Sequence, residues 1–186
     1  MNLKRYGIVV VAVLVAAGIG YWIWTPVEER STEEEPLPGE TITVYFLDRE
    51  DYVLRPVERT VDEAPGQPER IKQIVGELTT PPEDTGLIQL APGDLELRSS
   101  YLKDSTVYLD FNDGLVGAAQ GTSGERMLLY SIVNSVLENV SSDYKLVQFL
   151  IEGEQRKTIG AYGEESGHIA IRYPLGPRWN LADTSP

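Results

Sequence analysis

An unbroken run of nineteen uncharged, mostly apolar residues, Tyr6 to Trp24, divides this chain between two solvents. As a helix rising about 1.5 Å per residue it extends ~28 Å, close to the thickness of a bilayer's hydrocarbon core. Lys4 and Arg5 precede it, and Glu28, Glu29, Glu33, Glu34 and Glu35 follow it. Basic flanks stay on the cytoplasmic side, so residues 1–5 are expected inside, 6–24 in the membrane as a signal anchor, and everything after Thr25 outside. A cleaved signal peptide is the competing reading. Its apolar region runs about 7–15 residues and ends at a small-x-small site. Here Ile19, Tyr21, Trp22, Ile23 and Trp24 carry the run past Ala16-Ala17-Gly18. Both readings export the remainder of the chain.

With the anchor and a linker set aside, about 135–145 residues remain, enough for one ordinary domain with its own core. The absence of cysteine excludes disulfides, thiolate metal sites, a thiol nucleophile and a lipid-bearing cysteine. A net charge of −13 disfavours nucleic acid and anionic lipid headgroups as partners. Residues 25–40, rich in Glu and Pro with nothing to bury, read as an extended acidic linker.

From Thr41 the pattern turns foldable. Ile42, Val44 and Phe46 alternate with Thr43, Tyr45 and Leu47 as a strand, and Tyr52 to Val61 reads as its hairpin partner, placed at a sheet edge by Pro56. Ile71, Ile74, Val75 and Leu78 fall at i, i+3, i+4 and i+7, one face of a helix over 68–79. Residues 83–93 read as a polar loop. Leu95, Leu97, Ser99 and Tyr101 form one strand face, followed by a turn at Lys103-Asp104-Ser105 and a pairing strand of Val107, Leu109 and Phe111. Thr122-Ser123-Gly124-Glu125 has the form of a capping box. It predicts a helix over 123–140 that buries Leu129, Ile132, Val133, Val136, Leu137 and Val140. Val147, Phe149 and Ile151 mark a last main strand, and 156–159 a short one; beyond Pro174 the composition is that of a tail. The order β-β-α-β-β-α-β predicts an α+β domain over 41–174, a two-layer sandwich with both helices on one sheet, and a tail over 175–186.

Catalytic and metal-binding patterns do not assemble. His168 is the only histidine and has no acidic partner at a recognisable spacing, so it reads as a turn residue. Asp110-Phe111-Asn112-Asp113-Gly114 fails the EF-hand register, with Leu115 where the glycine belongs and Gly121 where the bidentate glutamate belongs. Ser100 and Lys103 match S-x-x-K, but on a strand they face opposite ways, and Lys157-Thr158-Ile159-Gly160 only approaches the companion K-T-G. Tyr45, Tyr52, Tyr101, Tyr108 and Tyr162 could stack on sugars, although cross-strand tyrosine pairs are the commoner use.

Thr41-Ile-Thr-Val-Tyr-Phe, Leu78-Thr-Thr-Pro-Pro, Ala91-Pro-Gly-Asp-Leu-Glu-Leu, Ser105-Thr-Val-Tyr-Leu-Asp-Phe, Gly121-Thr-Ser-Gly-Glu125 and Val147-Gln-Phe-Leu-Ile-Glu-Gly153 occur in this order. Together they resemble the GerMN domain of bacterial sporulation and spore-germination proteins, in a single copy without the lipobox cysteine. The resemblance implies a fold similar to ring-building motifs, no catalytic residues, no cofactor and no metal. It also implies docking to envelope or sporulation-complex proteins. The first helix, the edge strand over 52–61 and the loop after Phe111 are the surfaces expected to make contacts. The alternative is a peptidoglycan-binding module or weak hydrolase using surface tyrosines and an acid pair.

Overall fold

The computed structural model describes residues 39–80, 86–163 and 165–182. The expected membrane segment, 6–24, and most of the acidic linker lie outside them. Among the described residues no helix is long and apolar enough to cross a membrane.

Six strands and two α-helices follow one another among the described residues. They are β1 (Gly39–Asp48), β2 (Leu54–Asp62), α1 (Gln67–Glu77), β3 (Leu87–Ile88), β4 (Leu97–Lys103), β5 (Thr106–Phe111), α2 (Gly121–Asn139) and β6 (Leu146–Ile151). The fold is α+β, as expected, but the strands form two three-stranded sheets rather than one, ordered β2-β1-β3 and β4-β5-β6. β3 is the strand the sequence pattern hides. Leu87 and Ile88 sit in a polar stretch too short for alternation to show, yet they pair with Asp48 and Leu47.

The hairpins follow from their turns. Asp104 and Ser105 both have positive φ, 47° and 61°, the signature of a two-residue turn whose twist matches its flanking strands. Between β1 and β2, Asp48 Oδ1 accepts from the backbone N–H of Glu50 (2.7 Å) and Asp51 (3.1 Å), while Arg55 pairs with both Asp48 and Asp51. A bulge between Leu97 and Ser99 breaks the single face expected for β4. Leu97 stays buried, but Ser99 and Tyr101 turn to the other side, where Tyr101 stacks on its register partner Tyr108 with centroids 4.5 Å apart. Residues 156–159 form no strand. The turn after β6 supports only the Ile151–Glu154 bridge, after which the Ile159 carbonyl is taken by Gly117 N–H.

Helix α2 is the centre of the molecule. Its predicted apolar stripe is buried, but so are Met127, Leu128, Tyr130, Ser131, Asn134 and Ser135, so it is covered almost all round. The buried polar residues have a specific task. Ser131 Oγ donates to the Tyr45 carbonyl (2.7 Å), and Ser135 Oγ accepts from Tyr45 N–H (2.9 Å). Asn139 accepts from Thr43 N–H (2.9 Å) and donates to the Thr43 carbonyl (2.7 Å). Four helical residues rise about 6 Å and two strand residues about 6.8 Å, so Ser135 and Asn139 keep step with Tyr45 and Thr43, and Ser131 takes the remaining backbone group of Tyr45. The helix thereby replaces a neighbouring strand along the edge of β1 that β3 leaves uncovered.

This ladder fixes which backbone groups face β2. Thr43 and Tyr45 spend theirs on α2, so Glu58 and Pro56 opposite them belong to the non-hydrogen-bonded pairs. Pro56, which has no N–H to give, therefore costs β2 no bond to β1, and its edge placement is as expected.

The boundaries also differ from expectation. Gly39 and Glu40, assigned to the linker, already pair with Asp62 and Val61, and Glu40 ion-pairs with Arg70 of α1. At the other end, residues 175–182 are laid over the domain despite their tail-like composition. Leu175 exchanges two backbone bonds with Val147 on the outer side of β6 (2.8 Å each). Arg178 N–H reaches Asn134 Oδ1 (3.1 Å) while its guanidinium lies over the Tyr130 ring. Trp179 packs on Tyr45 at 6.0 Å between centroids, and Ala182 bridges Leu54.

Replacing Ser135 by Ala strands the buried Tyr45 N–H and is expected to lower the unfolding free energy by about 1–3 kcal/mol. Ser123→Ala at the exposed start of the same helix should change it by under about 0.5 kcal/mol; denaturant titration of the two variants checks this. The hairpin turn also predicts a pH effect. Arg55 first, then the Asp51 and Glu50 amides, hold the Asp48 carboxyl below its ordinary value of 3.8. The turn's contribution is therefore complete above that value and is lost as the pH falls through the depressed one. An NMR titration should place the Asp48 midpoint below 3.8, and Arg55→Gln should move it upward.

Candidate functional site

The three surfaces expected to make contacts lie on different elements. Helix α1 buries Ile71, Ile74 and Val75, with Leu78 at its C-cap, and shows solvent Pro68, Glu69, Lys72 and Gly76. Most of its polar side chains serve the domain itself: Arg70 binds Glu40, Gln73 donates to the Asp62 carbonyl (3.1 Å) and Glu77 faces Arg59 (3.7 Å).

The loop after Phe111 lines a cleft of about 290 Å³ with Gly117, Gln120 and Gly121 on one side and Ala161, Tyr162 and His168 on the other. Glu125 forms its floor, only 3% exposed. The expected capping box does not form: α2 begins at Gly121, its N-cap Gln120 makes no side-chain cap bond, and Thr122 is exposed. Glu125 points instead at a distant stretch of chain, where its carboxylate accepts from His168 N–H (2.6 Å) and Ile169 N–H (3.1 Å) and faces His168 Nδ1 (3.2 Å). His168 thus has the acidic partner that spacing alone could not reveal, forty-three positions away.

A histidine oriented by a buried carboxylate is one half of a general-base arrangement. A hydroxyl in the lining of this cleft is already engaged. Ser166, its lining hydroxyl, donates to the Gly163 carbonyl (2.9 Å) and accepts from Tyr162 N–H (3.0 Å). What Glu125 does here is anchor a loop. Gly160 and Gly167 cross so closely that a Cβ on Gly160 would lie 2.2 Å from Gly167 N.

The remaining sequence candidates hold structure in place. Asp110 accepts from Gly153 N–H (2.7 Å) and faces Arg98 (3.5 Å); Asn112 pins Glu96 N–H (3.0 Å) and the Asp94 carbonyl (2.8 Å). Among the described residues no group of three or more His, Asp or Glu side chains is arranged to hold a metal. Ser100 is half-buried with its hydroxyl making no hydrogen bond among the described residues, and the exposed Lys103 faces Asp104. Tyr45, expected on the surface, is 4% exposed because Trp179 covers it, and burial together with the nearby Glu138 carboxylate pushes its phenol up. Tyr52 and Tyr101 remain half-exposed and Tyr162 almost fully so.

The third surface, β2, is a free edge. Among the strands of the described residues it pairs only with β1, and the alternation set by the α2 ladder turns the backbone groups of Pro56, Glu58, Thr60 and Asp62 outward. Ala182 occupies the position beside Leu54 at one end, and Gln73 takes the Asp62 carbonyl at the other. β4 is also an edge, but its bulge interrupts the row of free groups, a common way of discouraging strand addition. β2 is the longer regular edge.

Residues 43–157 match the Germane family, described as "Sporulation and spore germination". The tandem GerMN domains of the sporulation protein GerM from Bacillus subtilis share 26% identity with this chain at a TM-score of 0.59, covering 79% of it and 48% of themselves. The chain thus spans about half the length of that tandem structure. The first GerMN domain of the same protein gives 19% identity and a TM-score of 0.54, over 74% of this chain and 97% of that one. A candidate lipoprotein from Clostridium perfringens gives 18% and 0.51, over 79% and 95%. These last two likenesses speak for the fold alone. No curated protein matches the chain.

Removing the anchor at the cleft floor, as Glu125→Ala, is expected to cost about 2–3 kcal/mol and to speed amide exchange at His168 and Ile169. His168→Ala, which keeps both backbone bonds, should cost less than half as much; exchange measured by NMR together with denaturant titration checks both.

Proposed function

The chain belongs to the Germane family of sporulation and spore-germination domains, and from that membership we propose that it is a non-catalytic interaction domain. It acts outside the cytoplasm, tethered by residues 6–24, in an assembly of the bacterial envelope or of sporulation and germination. Its fold is then a two-layer α+β sandwich of the ring-building kind, presenting strands and helices to other envelope proteins. The observation that carries the reading is the regular open edge of β2, because unpaired strand backbone is a ready template for adding a partner's strand. The apolar run before the domain, with Lys4 and Arg5 directly before it and five glutamates against the single Arg30 over residues 25–35 after it, supports the exported placement. The GerM likeness supports the sporulation setting.

Glu58→Pro tests the edge. The substitution removes an outward N–H and no bond to β1, so the unfolding midpoint should stay within about 4 °C of the parent. Photo-crosslinking from Thr60 of the full chain in its host should capture an envelope protein in the parent and lose it in Glu58→Pro. Capture that survives the proline places docking elsewhere. Digestion of the domain by a protease added to cells stripped of their wall, without lysis, tests the location; resistance until lysis contradicts it.

A further inference from the structure

Resting on the edge-docking reading above, we infer that the open edge of β2 takes an extended partner segment whose residues alternate apolar and basic, and that it rejects a second copy of this chain. Side chains along β2 alternate between two faces. On one, Val57 and Val61 are half-buried against the core, with Arg59 between them committed to Glu77 and the Thr80 carbonyl. On the other, Pro56, Glu58, Thr60 and Asp62 are exposed, and neither carboxylate has an ion-pair partner among the described residues.

A strand laid along this edge runs about 4.8 Å from β2 and sends alternate side chains to each face. Those beside Val57 and Val61 complete the cover of two core residues, which selects apolar groups. Those beside Glu58 and Asp62 have Cβ atoms about 4.5–5.5 Å from the Cβ atoms of these two acidic residues, which selects lysine or arginine. The window is short. It opens after the Leu54–Ala182 bridge and closes at the Asp62 carbonyl held by Gln73.

Self-pairing meets like charges in each antiparallel register centred on the window. With the two-fold axis at Glu58 that residue faces itself, with the axis at Arg59 the guanidinium faces its copy, and with the axis at Thr60 Glu58 faces Asp62. Directly opposed like charges destabilise a strand pair. The edge is thus open to a complementary strand and closed to its own image.

Short peptides alternating Val with Lys, Val with Ser and Val with Glu, titrated onto the full chain at low ionic strength, test this through affinity and through amide exchange at Glu58 and Thr60. The Val/Lys peptide should protect both amides and bind about threefold to tenfold tighter than Val/Ser, with Val/Glu weakest. The order should reverse in the double variant Glu58→Lys, Asp62→Lys. Equal protection by all three peptides overturns the charge assignment while leaving edge docking intact. Protection by none overturns both. Protection that grows with the concentration of the chain alone overturns the rejection of a second copy.

Discussion

The hydrogen bonds from Ser131, Ser135 and Asn139 to the backbone of Thr43 and Tyr45 are the constraint on which the rest of this domain depends. They let a helix occupy the position a strand would normally take, so the first sheet stops at three strands, the last only two residues long, and α2 becomes the common wall of the domain. They set the parity of β1, hence that of β2, hence which face of β2 meets the core and which backbone groups meet solvent. Each bond is worth about 1 kcal/mol net, but their absence would leave buried N–H and C=O groups without water. The penalty for that is larger than the gain from forming them.

The same helix organises both ends of the domain. At its N-terminus Glu125 grips the backbone at His168 and Ile169; near its middle Asn134 and Tyr130 hold Arg178. The C-terminal segment therefore closes the outer side of β6 at Leu175, shields Tyr45 with Trp179 and ends beside Leu54. Three potential strand edges are dealt with in three ways: β1 by helix side chains, β6 by this segment, β4 by a bulge. That leaves the two-residue β3 and the nine-residue β2, and of these β2 is the one long enough to take a strand; its exposed carboxylates and proline discourage promiscuous pairing without blocking the edge.

Much of the architecture was legible in the sequence because it rests on local periodicity. The α1 stripe from Ile71 to Leu78, the hairpin turns, the Pro56 edge and the run from Val147 to Ile151 are each decided by neighbours a few residues away. What escaped the pattern depends on partners far along the chain. Glu125 has the spacing of a capping box, and only the fold shows that its carboxylate is needed forty-three positions later. Ser131, Ser135 and Asn139 carried a readable signal, polar residues at every fourth position along a helix whose neighbouring positions are mostly apolar; its meaning is an edge to be bonded. Leu87-Ile88 is too short to show alternation, and Arg98 sits at a bulge that inverts the face expected for Tyr101. The division into two sheets was hidden for the same reason, since strand order is a long-range property.

Native-state hydrogen exchange at four backbone amides tests this picture most directly. Thr43 and Tyr45 have no strand on the side their amides face, yet those amides should exchange only through global unfolding, because Asn139 and Ser135 hold them. Glu58 and Thr60, in a strand paired on its other side, should exchange through small local openings, orders of magnitude faster. Fast exchange at Thr43 and Tyr45, or deep protection at Glu58 and Thr60 in the unliganded chain, would contradict both the sealed side of β1 and the open side of β2.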